Sequence, residues 1–230
     1  MLELKYTIKR SARRRSIGLE VRDAQVTLRA PLAVPEIELQ QLVMRKQRWI
    51  LDKVAHQKTL LEALPSYNFD TGCRLPWLGR ELELVLGCAK KSEVWLEQDQ
   101  LQVRCCHRSQ RPLLEQSRGL VCNWYKERAL VLLSDKTLHL AGRLGLVCRQ
   151  VKVRATRSKW GHCTSRGVIQ YNWQILLAPE PVVDYLVAHE VSHLRHPNHS
   201  PAFWALVAQL CPDYRRQRDW LKARGRLLIL

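Results

Sequence analysis

Apolar and polar positions alternate through the first thirty residues: Leu2, Leu4, Tyr6 and Ile8, then Ile17, Leu19 and Val21, then Val26 and Leu28. A period of two places one row of side chains on a single face and predicts a small antiparallel meander, with turns at Arg13-Arg14-Arg15 and Asp23-Ala24-Gln25. Beyond Pro31 and Pro35 the spacing lengthens. Leu39, Leu42, Val43, Ile50 and Val54 keep one face apolar at helical intervals, which predicts a helix over about 35–57.

Alternation returns at Leu82, Leu84 and Leu86, then around Val94, Leu96, Leu101 and Val103, with Gly72, Gly79 and Gly87 as turn candidates. From Pro112 to about Ala141 there is no proline, and helix formers surround Leu113, Leu120, Trp124, Leu132 and Leu133, predicting a long core helix. Val151 and Val153 predict a strand, and Ile169, Tyr171 and Trp173 its partner, with a turn at Trp160-Gly161-His162-Cys163. Pro179 and Pro181 then suit the start of a helix that runs through Val182 to Leu194 until Pro197 forbids it. Ser200 is a good cap for a helix through Phe203, Trp204, Val207 and Leu210, and a last short helix over about Tyr214 to Ala223 ends at Gly225.

These elements predict an α+β fold. The expected organisation is a strand-rich N-terminal portion with one helix over 1–110, then a long helix, a short sheet and a histidine-bearing helix over 111–230, packed as two portions or one.

The chain has 230 residues, 46% hydrophobic and 26% charged, enough for a sizeable core. No stretch approaches the roughly 20 apolar residues of a membrane span, and the basic N-terminus lacks the apolar run of a secretory signal, so the expected location is the cytoplasm, with no membrane partner. Eight cysteines without a C-x-x-C pair fit that address, as reduced thiols that serve mostly as small core residues.

The formal charge is +17, with +6 in residues 1–50, +4 in 51–150 and +7 in 151–230. This excess favours polyanions without specifying one. Arg13-Arg14-Arg15, Arg215-Arg216 and the eight tryptophans support a nucleic-acid surface; the plainer reading is core indoles and a solvated basic face.

Half of the eight histidines, His189, His193, His196 and His199, fall close together, and the first two frame His189-Glu190-Val191-Ser192-His193. Positions i and i+4 share a helix face about 6 Å apart along the axis, so both imidazoles can converge on one Zn²⁺. Glu190, rotated by about 100° from His189, is poorly placed as a ligand but can reach a metal-bound water as a general base. A third ligand is needed. His196 lies about 10 Å along the axis from His189, which is awkward, whereas a turn at Pro197 can bring His199 back.

Several segments carry a family resemblance: Lys159-Trp160-Gly161-His162-Cys163, Val168-Ile169-Gln170-Tyr171-Asn172-Trp173, Asp184 to Leu194 around the H-E-x-x-H, and Asn198-His199-Ser200 with Phe203-Trp204. In these the sequence resembles the YgjP-like metallopeptidases, zincin-type proteins more distantly related to the SprT-like proteases. Weaker likeness extends upstream through Trp49-Ile50, Asp70-Thr71-Gly72 and Leu78-Gly79.

The resemblance implies a zincin-like metallopeptidase domain with His189, His193 and His199 as ligands to Zn²⁺ and Glu190 as the catalytic carboxylate. It depart from the family pattern at two positions: Ser is commoner where His162 stands, and Arg where Lys159 stands. His162 is open to three readings: an added donor, a fourth nitrogen ligand, or, preferred, a plain surface residue. The implied activity is hydrolysis of peptide bonds in a peptide or protein substrate by a metal-activated water, with Glu190 as base. Tyr185 and Tyr214 are candidate oxyanion donors, each more plausible as a packing residue. The alternative is a basic nucleic-acid-associated protein whose zinc only staples the fold, and the two ideas combine in a protease recruited to DNA-bound proteins.

Overall fold

The computed structural model describes residues 4–156 and 158–230, and its contacts group the chain into two compact units, Met1–Leu64 and Pro65–Leu230. The strand-rich portion expected over 1–110 therefore has its second group of strands in the larger unit, packed with the long helix. The fold is α+β, as the patterning predicts. No helix among the described residues is long and apolar enough to cross a membrane.

In the smaller unit, β1 (Tyr6–Arg10), β2 (Gly18–Arg22) and β3 (Gln25–Ala30) form one sheet in the order β1-β3-β2. The expected meander is corrected here: β1 runs parallel to β3 and does not pair with β2. Alternation fixes which side chains face the core but not which edge a neighbour takes, and the long basic link Ser11–Ile17 lets β1 cross to the far edge. Leu2, part of the first alternating run, lies outside the described residues. The β2–β3 turn uses Asp23 and Ala24 at φ of 51° and 58°.

The expected single helix is two, α1 (Glu36–Arg45) and α2 (Gln47–Glu62), broken at Lys46 with φ −102° and ψ 7°. Leu39 and Val43 of α1 and Ile50 of α2 close a core with Val26, Leu28 and Ala30. Gln57 of α2 secures the turn, accepting from Ala24 N at 2.8 Å and donating to Val21 O at 2.8 Å.

The larger unit opens with a four-stranded sheet, β4 (Arg74–Trp77), β5 (Arg80–Ala89), β6 (Glu93–Glu97) and β7 (Gln100–Cys106), in the order β4-β5-β7-β6. Gly72 and Gly79 turn with positive φ as expected, whereas Gly87 lies inside β5. The long helix α3 (Leu113–Arg143) follows; of the expected row Trp124 and Leu133 are buried and Leu120 and Leu132 pack against the core, but the buried stripe also takes in small and hydroxyl residues. Ser117, Val121, Trp124, Tyr125, Ala129, Leu133, Thr137 and Ala141 face inward while Leu113 is exposed, because small and hydroxyl residues let the helix approach and bond its neighbours. Ser117 Oγ donates to Phe69 O at 2.9 Å, Tyr125 Oη donates to Pro76 O at 2.7 Å, and Thr137 Oγ1 and Tyr171 Oη share a hydrogen bond of 2.9 Å.

A second sheet has β8 (Gln150–Arg154), β9 (Gly161–Cys163) and β10 (Val168–Asn172) in the order β8-β10-β9. The segment expected as a turn at Trp160 to Cys163 is thus largely a strand, antiparallel to β10, while β8 pairs with β10 in parallel. After a short 3₁₀ helix at Trp173–Leu177 come α4 (Glu180–Ser192), α5 (Pro201–Leu210) and α6 (Tyr214–Arg224). Nearly all of α4 is buried: Val182, Val183, Leu186, Val187 and Val191 root it in the main core. Lys136 of α3 holds its first turns through Glu180 at 2.8 Å and Asp184 at 2.7 Å.

Trp77, Trp124 and Trp173 lie in that core, and only Trp49 and Trp95 are exposed, so most of the indoles are packing residues. The cysteines are all free; just Cys105 is fully buried, and half-buried Cys73, Cys122, Cys148 and Cys163 pack against the core.

Candidate active site

His189 is carried by the last turn of the buried helix α4, and His193 is its C-terminal cap, still in helical geometry at φ −67° and ψ −18°. One turn therefore separates the two rings, with centroids 5.0 Å apart. The helix stops there. The chain turns through His196 and Pro197, and Ser200 then caps α5, its hydroxyl accepting from Phe203 N at 3.3 Å. The cap fixes the direction in which the chain enters α5 and delivers His199 to the same place, its ring 5.1 Å from that of His189 and 4.8 Å from that of His193.

One nitrogen from each of His189, His193 and His199 lies within 4.8 Å of the others, and Nε2 of His189 faces Nε2 of His199 at 3.2 Å. Of the four clustered histidines, these three bring their rings together. His196 does not join them with its ring. Its carbonyl oxygen instead accepts from His193 Nδ1 at 3.0 Å, which orients that imidazole and leaves Nε2 free to ligate.

Phe203, fully buried on α5, lies under all three rings at centroid distances of 4.5 to 5.0 Å. Trp204 stacks on His199 at 5.6 Å and 22°, Tyr214 stacks on Trp204 at 5.4 Å, and the Arg218 guanidinium sits 4.7 Å over the same indole. Tyr185 packs its edge against His189 at 5.9 Å and is almost fully buried, and burial pushes its phenol up to about 12. Tyr185 and Tyr214 both serve as walls. His162 is exposed on β9.

Glu190 projects from α4 toward β9 and is only 4% exposed. Its Oε2 is buried without a hydrogen-bond partner among the described residues. Burial pushes its carboxyl up to about 8, and the nearby Lys159 ammonium pulls the other way. Space for the carboxylate comes from Gly161 on β9: a Cβ there would meet its oxygen and lie 2.5 Å from its Cδ. Asn172, buried at the end of β10, holds this region in place. Its backbone N–H donates to Trp160 O at 2.7 Å and its side-chain amide donates to Thr156 O at 3.1 Å. Sequence reading missed the part played by Gly161; the glycine next to Trp160 was visible, but nothing in one sequence pairs it with Glu190.

The donor set fits a zinc ion. Burial first, then the neighbouring His193, His199 and Arg218 charges, hold the His189 imidazole down to about 3, and burial also lowers His193, so both rings favour the neutral form that binds metal. Three convergent nitrogens suit a tetrahedral cation with one open position.

A family model described as the YgjP-like metallopeptidase domain matches residues 15–224. Among solved structures, the crystal structure of the metallopeptidase zymogen of Pyrococcus abyssi abylysin is 22% identical, over 40% of this chain and 93% of that one, with a TM-score of 0.37. No curated protein matches the chain.

Proposed function

This chain belongs to the YgjP-like metallopeptidase family, and from that premise we propose that it is a zinc-dependent peptidase in which His189, His193 and His199 hold the metal and Glu190 is the general base. The observation that carries the reading is the convergence of the three imidazoles, with nitrogens within 4.8 Å of one another, at the end of the helix that also bears Glu190, whose Oε2 has no hydrogen-bond partner among the described residues.

When bound, the ion supplies Lewis acidity that draws electron density from a carbonyl and from water. Glu190 takes a proton from the attacking water at Oε2, the water oxygen bonds to the carbonyl carbon, the C–N bond breaks, and the same proton passes to the leaving nitrogen. The products are a carboxylic acid and an amine. Gly161 leaves the space that the carboxylate occupies, and a larger residue there would displace it. The His196 carbonyl holds His193 in one tautomer, and Phe203 and Trp204 fix the ring planes.

The reading is tested by incubating the protein with peptides derived from a digested proteome, before and after chelation and again after zinc is restored. New peptide termini that vanish with chelator and return with zinc are expected. Cleavage that survives chelation overturns the zinc assignment.

A further inference from the structure

In the smaller unit, the link between β1 and β2 is an ordered basic turn. Ser11 N donates to Ala30 O at 3.0 Å, Arg14 N donates to Ser11 O at 3.3 Å, and Arg13 N donates to the Ser11 hydroxyl at 3.3 Å. Together with the ends of β1 and β3, this turn lines a shallow open cavity of about 420 Å³ whose walls are Lys9, Arg10, Ser11, Arg13, Arg14 and Arg29. Five of the six lining residues are cationic, and none is acidic.

The anchoring of these side chains leaves their charge largely uncompensated. Arg10 donates to the carbonyl oxygens of Val34, Leu32 and Pro31 at 2.6, 3.3 and 3.4 Å. Arg14 donates to Ser16 O at 2.8 Å, and its guanidinium lies over Gly18, where a Cβ would collide with it. Neutral carbonyls hold both guanidiniums in place without cancelling their charge. Among the described residues, only Arg29 of the five has a carboxylate partner, Glu20 at 3.0 Å, in an exposed pair that an anion can outcompete at little cost. Among the described residues, the Lys9 and Arg13 side chains make no hydrogen bond or ion pair.

We propose that this face of the N-terminal unit binds the phosphate backbone of nucleic acid without regard to sequence. Partly preordered guanidiniums lose less freedom on binding, and their planar forks match phosphate oxygens. The cavity is open rather than enclosing, and its cations are spread over two strands and a turn, which suits successive phosphates of a chain better than one free anion. No aromatic residue lines it, so it offers no platform on which to read or stack bases. None of its lining residues belongs to the histidine cluster, and the inference does not depend on peptidase activity.

The test measures binding of the full chain to a fluorescent duplex DNA of about 20 base pairs across a salt series, for wild type and for Lys9→Gln/Arg13→Gln. Neither replaced side chain holds the fold, and thermal melting checks this directly. The expected result is binding that weakens steeply with salt, with the slope of log affinity against log salt shallower by about two in the double variant, because each lost phosphate contact removes about 0.9. A second arm adds inorganic tripolyphosphate as competitor. Failure to bind the duplex at low salt, identical slopes for both proteins, or occupancy by tripolyphosphate alone would each overturn the proposal.

Discussion

Glu190 occupies the space that a side chain at Gly161 would take: an added Cβ would lie 2.5 Å from the carboxylate carbon and closer still to one oxygen. The strand opposite α4 thus sets where the carboxylate can point. Gly161→Ala is expected to lower kcat by about 100-fold with little loss of bound zinc, because a base displaced by about 1 Å no longer meets the reacting water. Parallel assays of peptide turnover and zinc content check this, and unchanged turnover would show that the carboxylate has room to spare.

His196 and His199 lie on the same turn of chain but contribute different atoms. The backbone carbonyl of His196 orients His193, whereas the ring of His199 faces that of His189. His196→Ala keeps the carbonyl and is expected to hold zinc within about tenfold of wild type, while His199→Ala weakens it by more than about 100-fold, beyond the usual effect of losing a supporting hydrogen bond. Competition with a chromogenic chelator separates the two. The reverse order would exchange their roles.

Ser200 caps α5 immediately after His199. Ser200→Ala is expected to cost about 1 kcal/mol of stability, read from denaturant midpoints, and to weaken zinc binding modestly, because the entry of α5 then frays. A stability loss with zinc affinity untouched would separate the cap from the metal site.

Much of this site was legible in the sequence because its determinants are local. The spacing of His189 and His193 along one helix, the proline at 197 that keeps that helix from resuming and the serine cap at 200 act within a few residues of each other. The pairing of Glu190 with Gly161 is long-range, and local spacing carries no trace of it. Strand pairing was hidden for the same reason. Alternation placed Val26 and Leu28 in a core, yet whether β1 runs parallel or antiparallel to β3 depends on the path of the link between strands. In α3 the leucines drew attention away from Ser117 and Thr137, which are buried because each finds a hydrogen-bond partner across the fold.

The metal-free protein is expected to respond to pH through two groups of the site. The Glu190 carboxyl rises from an ordinary value of 4.5 to about 8, so between those values the folded chain keeps a proton that the unfolded chain has released, and stability falls as pH rises. His189, lowered from 6.5 to about 3, contributes stability that is present above 6.5 and lost as pH falls toward 3. The two slopes oppose each other from about 4.5 to 6.5, leaving Glu190 alone to set a decline of about 2 kcal/mol between pH 6.5 and 8. Urea midpoints of chelated protein at those two pH values check this. Glu190→Gln should remove the decline, and a decline of the same size in that variant would assign it to other groups.

The most direct test compares wild type with Glu190→Gln, both loaded with zinc to the same stoichiometry, in cleavage of a proteome-derived peptide mixture. The variant is expected to hold its zinc and lose nearly all cleavage, because the change removes the proton acceptor and leaves His189, His193 and His199 in place. Equal cleavage by the two proteins at equal zinc would contradict the role of Glu190 as base.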